Sequence, residues 1–291
     1  MRNINQDTRF LIVGLGLIGG SYAKALSSKG YTVKAITKEK KDIEFAIEKG
    51  YICGGSDQVE PELIRWADII VLGLYPHTLI DWVNEYAHNF RAGQLVTDVT
   101  GVKGIIVNAV QKVLPEGVEF IAAHPMAGRE KSGVQNSDDA VFHGANYIVV
   151  PTEKNTQKAI DTCKELGELL GFFRISELDV ATHDQMVAFL SQLTHCIAVS
   201  LMCANEQQGL EAYTGDSFRD LTRIARINDE MWSELFLSNR EALLMEIDNF
   251  SMQLSHLRRA LYYSDRDELR NLMRLSTQRR EKFDKPRVDH D

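Results

Sequence analysis

The sequence is short of cysteine pairs, of metal-ligand spacings and of positive charge, and each shortage excludes a class of protein. Its four cysteines, at positions 53, 163, 196 and 203, never form a C-x-x-C spacing, so we expect reduced and mostly buried thiols. Since neither an H-E-x-x-H motif nor a paired Cys/His spacing occurs, no metal site is expected. The formal net charge of −8 argues against non-specific binding to nucleic acid.

Long apolar runs are missing as well. No continuous run approaches the roughly 20 residues that are needed to cross a membrane, so we expect no membrane span. The first seven residues are polar and unlike a signal peptide. G-x-S-x-G and Walker motifs, which mark serine hydrolases and many ATPases, are also lacking. These shortages predict a cytoplasmic protein, and 291 residues suffice for two domains.

What the sequence does have, near its start, is an apolar run that leads directly into closely spaced glycines. Residues 10–13 read Phe-Leu-Ile-Val, and a G-x-G-x-x-G motif follows before a helical pattern. In a dinucleotide-binding turn the first glycine allows a sharp bend, the second admits the pyrophosphate, and the third allows close helix packing. The free N–H groups at the helix start then face the phosphates. The predicted cofactor contacts of this turn are Gly14, Gly16, Leu17, Ile18 and Gly19.

Strand and helix patterns alternate through residues 1–175, which we interpret as a dinucleotide-binding domain. The predicted strands are residues 10–13, 32–36, 69–74, 95–99, 119–123, 146–151 and 172–175. This rhythm is typical of an α/β fold, a Rossmann-type doubly wound parallel sheet. Residues 176–291 show only helical periodicity and predict an all-α domain, with helices of roughly 25–30 residues. Their apolar stripes favour packing against a second subunit, with a monomeric bundle as the alternative.

The end of the second predicted strand leaves the choice of cofactor open. NAD-binding units usually have Asp or Glu there, which binds the adenosine ribose. This chain has Thr37 and Lys38 instead, with Lys40 and Lys41 close behind. These residues suit the 2′-phosphate of NADP, but they also fit the solvated start of a helix.

Three predicted strands end in distinctive loops, and ligands of open α/β sheets bind beyond such ends. Leu74 and Pro76 stand at the end of one strand, Thr100 and Lys103 follow another, and His124 stands at the end of the third. Because an imidazole titrates near neutral pH, His124 suits general base catalysis. The alternative is a histidine that only binds loop carbonyls.

Polar residues of the helical half form two further candidates. Asp184, Ser191 and His195 are spaced seven and four residues apart, which places them on one helix face. Arg223 lies among apolar neighbours in residues 218–225 and suits a carboxylate, because a guanidinium forms bidentate bonds. The alternatives are exposed polar positions for the first set, and a salt bridge with Asp220 or Glu130 for the arginine.

Taken together, these motifs make the chain resemble the prephenate dehydrogenase family, to which arogenate dehydrogenases are closely related. The resemblance covers about residues 9–280. Its most specific part is the block His-Pro-Met-Ala-Gly-Arg-Glu-Lys-Ser-Gly at residues 124–133. Residues 191–195, 218–225 and 231–232 follow in the order of the family.

The resemblance implies oxidative decarboxylation of prephenate to 4-hydroxyphenylpyruvate in tyrosine biosynthesis, with NAD as the first cofactor candidate and NADP as the second. It implies a homodimer and catalytic roles for His124, Thr100 and Lys103, with Thr100 also near the cofactor. Arg223 matches the arginine that holds a substrate carboxylate, and Asp184 matches an acidic residue near it. The further substrate residues that it implies are Ser191, His195, Arg129, Glu130, Asp220 and, from the partner subunit, Trp232.

One departure and three alternatives accompany the resemblance. The family usually has a serine two residues before Lys103, where this chain has Gly101, so Thr100 or a water is expected to assist His124. Arogenate is the alternative substrate. A β-hydroxyacid dehydrogenase is less favoured, since it needs a lysine that residues 178–220 lack. A non-catalytic dinucleotide sensor would not need His124, Arg223 and Ser191 together.

Overall fold

The computed structural model describes residues 4–128 and 131–284, and the chain divides into two compact units, residues 1–240 and 241–291. The first unit is built on one eight-stranded sheet. The strands are β1 Arg9–Val13, β2 Thr32–Ile36, β3 Gly54–Ser56, β4 Ile69–Leu72, β5 Leu95–Asp98, β6 Glu119–Met126, β7 Asn146–Val150 and β8 Arg174–Glu177. Its helices are α1 Leu17–Ser28, α2 Lys40–Glu48, α3 Pro61–Trp66, α4 Pro76–Tyr86, α5 Gly104–Val113, α6 Gln157–Leu170, α7 Val180–Val187, α8 Leu193–Cys203, α9 Asp216–Thr222 and α10 Asp229–Ser238.

The strand order is β3-β2-β1-β4-β5-β6-β7-β8, and the order reverses direction between β1 and β4. This reversal opens the crevice in which doubly wound sheets bind their ligands. Alternate residues of β1 pack in separate apolar layers, Phe10 and Ile12 in one and Leu11 and Val13 in the other. Because both faces of the strand are covered, its sequence is a continuous apolar run. The Rossmann-type prediction is therefore confirmed.

The sheet is mostly, and not wholly, parallel. β7 runs antiparallel to β6, with Met126 opposite Asn146, whereas the other neighbouring pairs are parallel. A parallel partner needs a crossover, usually through a helix. In its described residues the β6–β7 connection has short 3₁₀ turns instead, at Val134–Asn136 and Asp139–Phe142. The purely parallel sheet of the sequence prediction was therefore wrong at this pair.

Sequence analysis also missed two short elements, β3 and α3. β3 consists of Gly-Gly-Ser and carries no apolar alternation that would reveal it. The cysteine prediction holds in part, since Cys163 is buried and all four thiols are free, but Cys53 and Cys203 are exposed.

The helix after the sheet, formed by α7, a π-helical turn at Ala188–Gln192 and α8, is longer and more apolar than expected. Val180–Cys203 is long and apolar enough to cross a membrane by length and composition, contrary to the sequence prediction. Only 28% of its apolar window is buried. Core helices of soluble proteins have the same length and composition. Its exposed apolar side chains include Phe189 and Met202.

The second unit contains all but the first residue of α11, Arg240–Tyr262, and the whole of α12, Arg266–Arg280. At 23 residues, α11 is slightly shorter than predicted. Its expected apolar stripe is there, and Leu254 and Leu261 on that stripe are more than half exposed, at 56% and 57%. An apolar stripe that is left exposed on a long helix is typical of a surface that packs against another chain.

Candidate active site

The glycine-rich turn between β1 and α1 has the shape that a dinucleotide requires. Gly14 adopts φ +94°, and a Cβ there would lie 2.5 Å from the carbonyl oxygen of Gly73 on the neighbouring loop. A Cβ on Gly19 would overlap the carbonyl oxygen of Gly14, so the helix packs directly against the turn. At Gly16, in contrast, a Cβ would meet nothing within 4 Å. The open side of the turn therefore leaves room for a pyrophosphate, and these residues fit the cofactor.

The other predicted cofactor residues lie around the same crevice. Leu74 comes close to Gly14, and Pro76 is the first residue of α4. Thr37 follows β2 directly, and its hydroxyl accepts a hydrogen bond from the Leu15 N–H at 3.4 Å. Lys38 is exposed. The structure thus brings these residues to the carboxyl edge of the parallel strands.

Below this edge lies a fully buried ion pair between Asp98, the last residue of β5, and Lys103. Lys103 Nζ is 2.6 Å from Asp98 Oδ2 and donates a second bond of 2.6 Å to the carbonyl oxygen of Ala123. Asp98 Oδ1 accepts from the Ala123 N–H at 3.1 Å. Burial lowers the pKa of Lys103, and the carboxylate of Asp98 opposes that shift. The pair therefore clamps β5 to β6 immediately before His124.

Thr100 belongs to this clamp. Its hydroxyl donates to Asp98 and lies 3.2 Å from Lys103 Nζ. A hydroxyl has a single proton to donate, and the acceptors that this geometry offers it are Asp98 and the carbonyl oxygen of Val102, the latter at 2.9 Å. A Cβ on Gly101, in contrast, would lie 3.9 Å from His124 Nε2 and 3.7 Å from Leu235. The position of the family serine therefore lies directly beside the ring, where a Cβ would make ordinary van der Waals contacts.

His124 lies within β6, and not in a loop after it, because the strand extends to Met126. Its ring is part of a chain of three side chains that sequence reasoning did not anticipate. His124 Nδ1 is 2.9 Å from His183 Nε2, and His183 Nδ1 is 2.7 Å from Asp184 Oδ1. Because the carboxylate only accepts, His183 is protonated at Nδ1 and its Nε2 accepts from His124 Nδ1–H. The free lone pair of His124 is therefore at Nε2.

Asp184 is held in turn by backbone donors. Its carboxylate accepts from the N–H of Lys103 at 2.9 Å and from that of Gly104 at 2.7 Å, at the start of α5. A carboxylate at a helix N-terminus is favoured by the helix dipole. Asn239 Nδ2 donates to the backbone carbonyl oxygen of Asp184 and to the side-chain oxygen Oε1 of Gln192, each at 2.8 Å. Asp184 thus anchors the three linked side chains, His124, His183 and Asp184 itself, to the start of α5.

The pKa of His124 is lowered well below its ordinary 6.5, first by burial and then by the nearby His183 and Lys103. A histidine with a lowered pKa stays neutral, and hence able to act as a base, as pH falls through 6.5. As pH is lowered, we expect kcat/KM to remain constant through pH 6.5 and to decrease only at lower pH, where His124 becomes protonated. His183→Asn removes one cause of the shift, so its acidic limb should move up towards 6.5. Initial-rate pH profiles test this prediction, and an acidic limb at or above 6.5 in the parent enzyme contradicts it.

Ser191 and His195 lie at and after the π-helical turn. π turns inside helices are frequent at functional sites. His195 Nδ1 donates to the carbonyl oxygen of Ser191 at 2.8 Å, and burial lowers the pKa of the ring. Trp232 of α10 stacks on His195, with ring centroids 3.7 Å apart and an interplanar angle of 29°. Trp232 thus contacts a histidine of its own chain, and its contribution to the pocket of a partner subunit stays a prediction.

The remaining predicted site residues are Arg223, Asp220, Arg129 and Glu130. Arg223 starts the 3₁₀ turn Arg223–Ala225, which packs against α8, the helix of His195. Asp220 is exposed on α9. Arg129 and Glu130 lie outside the described residues. Within residues 4–128 and 131–284, there is no group of three or more His, Cys, Asp or Glu side chains arranged to hold a metal ion.

Sequence reasoning missed His183, Gln192 and Asn239. Asp184 was selected by its spacing from Ser191, and its neighbour His183 was passed over because adjacent residues of a helix point in different directions. The available signal was a His-Asp pair inside an otherwise apolar helix, where an uncompensated polar group is costly.

Comparisons with known proteins agree with this architecture. Residues 22–173 match the nucleotide-binding domain of prephenate dehydrogenases, and residues 179–275 match their dimerization domain. The prephenate dehydrogenase of Bacillus subtilis (strain 168) is 30% identical over 282 residues, which cover 94% of this chain and 74% of that protein.

Solved structures show the same relationship. The prephenate dehydrogenase from A. aeolicus, crystallised with hydroxyphenyl propionate and NAD+, has a TM-score of 0.89 at 27% identity, over 97% of this chain and 100% of the other. The arogenate dehydrogenase of Synechocystis has a TM-score of 0.83 at 26% identity, over 95% of this chain and 100% of the other. The chain therefore belongs to the prephenate dehydrogenase family, a family of NAD-dependent oxidoreductases.

Proposed function

We propose that the protein is a prephenate dehydrogenase that converts prephenate to 4-hydroxyphenylpyruvate with NAD, in tyrosine biosynthesis. The observation that carries the proposal is the chain Asp184–His183–His124, which leaves a basic nitrogen at the carboxyl edge of the sheet that also carries the glycine turn. The match of the chain to both domains of the family supports it.

Each residue of this chain has a distinct role in the proposed reaction. His124 Nε2 accepts the proton of the ring 4-hydroxyl, and its Nδ1–H remains bonded to His183. Asp184 stabilises the positive charge that develops on the two rings, since a carboxylate favours a charged neighbour. The bound nicotinamide supplies the acceptor for the hydride from the same ring carbon. Loss of carbon dioxide makes the substrate ring aromatic, which drives the reaction, so the protein contributes positioning and one base.

Substrate recognition is assigned to the helical residues. Arg223 binds a carboxylate of the substrate, and Ser191 and His195 line the side-chain pocket, with Trp232 covering His195. Glu130, Asp220 and Arg129 adjust the charge around this carboxylate site. The nucleotide-binding domain is assigned to residues 1–175 and the helical substrate-binding domain to residues 176–291. We assign homodimer formation to the latter, on the basis of the exposed apolar stripe of α11 and the match to the dimerization domain.

A single assay tests the proposed reaction. Purified protein is mixed with prephenate or arogenate and with NAD or NADP, and the absorbance of the reduced cofactor is followed. We expect reduction with prephenate to be faster than with arogenate. The two substrates differ in a keto or an amino group on the side chain, so the ratio of their kcat/KM values separates the two functions. Absence of reduction in all four pairings would refute an enzymatic role.

Arg223→Ala is expected to raise KM for prephenate strongly. Removal of a charge-assisted pair to a bound carboxylate costs about 2–4 kcal/mol, which corresponds to about 30- to 900-fold in affinity. KM for NAD should stay within about twofold, because the glycine turn is unchanged. Steady-state kinetics with each substrate varied in turn measure both. Arg219→Ala is the matched control, since Arg219 on α9 pairs with Asp216 at 3.2 Å. An unchanged KM for prephenate in Arg223→Ala would show that the anchor lies elsewhere.

A further inference from the structure

We propose that Glu234 is a positioning residue that ties α10 to the first turn of α4, so that a dinucleotide bound beside α4 organises the substrate pocket beside α10. This inference rests on the proposed dehydrogenase function and adds a link between its two binding sites. The link joins residues 157 positions apart, one in the proposed nucleotide-binding domain and one in the proposed helical domain.

The contact is made by one carboxylate oxygen with two donors. Oε1 of Glu234 accepts from the backbone N–H of His77 at 2.6 Å and lies 2.7 Å from Nδ1 of the same residue. Because an ionised carboxylate only accepts, Nδ1 carries a proton in this contact. Pro76, the first residue of α4, has no N–H, and the side chain of Tyr75 before it forms no cap. Glu234 therefore caps α4 from another element of the fold.

Burial makes Glu234 depend on this contact. Its side chain is 17% exposed, whereas that of His77 is 67% exposed. A carboxylate that is largely removed from water is costly unless donors satisfy it, and His77 supplies two. The positive end of the α4 dipole favours the same charge. Glu234 is therefore held in place by α4, and α10 with it.

The segment before α4 borders the glycine turn of the nucleotide site. The N–H of Gly73 donates to the carbonyl oxygen of Val13 at 2.7 Å. A Cβ on Gly14 would lie 3.0 Å from a methyl carbon of Leu74. Pro76 follows and is buried. A dinucleotide at the glycine turn therefore lies beside the segment that leads into the capped end of α4.

Two residues of α10 lie against the proposed substrate pocket and base. Trp232 stacks on His195, with ring centroids 3.7 Å apart. The side chain of Leu235 lies 3.7 Å from the position that a Cβ on Gly101 would take, and that position is 3.9 Å from His124 Nε2. Both residues lie within one turn of the carboxylate that caps α4. Because a packed helix moves as a unit, a change at one of these contacts reaches the others.

Hydrogen–deuterium exchange measures the link without any substrate. The purified protein is exchanged with and without saturating NAD, and peptides from the glycine turn, residues 14–28, and from α10, residues 229–238, are compared. In the parent we expect NAD to slow exchange in both, by about fivefold or more in α10, the scale of one helix cap. No slowing in α10 of the parent would overturn the proposal.

Variants assign the response of α10 to the carboxylate. In Glu234→Ala, NAD should still slow exchange in the glycine turn but should change that of α10 by less than about twofold, since the cap is lost. Glu234→Gln should recover part of the response, because its amide oxygen still accepts from the N–H of His77. A role confined to stability predicts instead faster exchange both with and without NAD. An unchanged response to NAD in Glu234→Ala would contradict the proposal.

Glu230→Ala is the matched control, since Glu230 is an exposed acid one turn earlier on α10. Its α10 peptide should respond to NAD as in the parent. An equal loss of response in Glu230→Ala and Glu234→Ala would show that the charge of the helix is what matters, and the proposal would be wrong. Because the measurement involves no prephenate, failure of the proposed reaction would leave these results unchanged.

Discussion

His124→Ala is expected to reduce kcat for prephenate about 10²- to 10⁴-fold, the usual contribution of a positioned general base. The lone pair of Nε2 is the group lost, and Gly101 beside it has no side chain that replaces it. KM for NAD should change little, because the glycine turn belongs to β1 and α1. The rate of cofactor reduction at saturating substrate measures the loss.

Two further variants separate catalysis from positioning in this chain. His88→Ala changes an exposed histidine in the 3₁₀ turn Ala87–Asn89 and should leave kcat unaltered. His183→Asn keeps the base but removes the ring that orients it, so kcat should fall less than in His124→Ala. Turnover of His124→Ala within about threefold of the parent would show that another group accepts the proton.

The glycine turn was predictable because its signal is local. A buried parallel strand, a sharp bend and a close helix each leave a mark on consecutive residues, and residues 9–30 carry all three. Thr100 and Lys103, in the loop after β5, were likewise found, because the carboxyl edge of the sheet is set by topology. What the local signal cannot give is which of these side chains bond to one another.

His183 shows why the rest of the site was missed. Its role depends on a contact with His124, which is 59 residues earlier in the chain and lies on a different element. The antiparallel direction of β7 was missed for a similar reason. A buried strand has the same apolar run in either direction, and only its pairing with β6 shows which direction it takes. Trp232 is a third case. Motif spacing identifies the residue, but only packing shows that it covers His195 of its own chain.

Lys103→Met is expected to lower the free energy of unfolding by about 3–5 kcal/mol, because it leaves Asp98 charged and buried without its partner. Both side chains are fully buried, with 0% of either exposed. Urea unfolding followed by circular dichroism measures the change. Lys164→Met is the matched control, since Lys164 pairs with Glu177 at the surface and a pair of that kind contributes about 0–1 kcal/mol.

The double variant Asp98→Asn/Lys103→Met separates two effects of Lys103→Met: the unpaired buried charge that it leaves on Asp98, and the changed packing of the new side chain. Replacing both members of a buried pair with neutral groups is often close to neutral, so the double variant should recover a large part of the stability that Lys103→Met loses. The clamp also places β6, because Asp98 and Lys103 together bind the N–H and the carbonyl oxygen of Ala123. The recovered protein should therefore still turn over slowly, since Asn cannot restore the bond from Lys103 to Ala123 and His124 follows directly. A double variant with both stability and kcat of the parent would show that the pair has no part in holding the base.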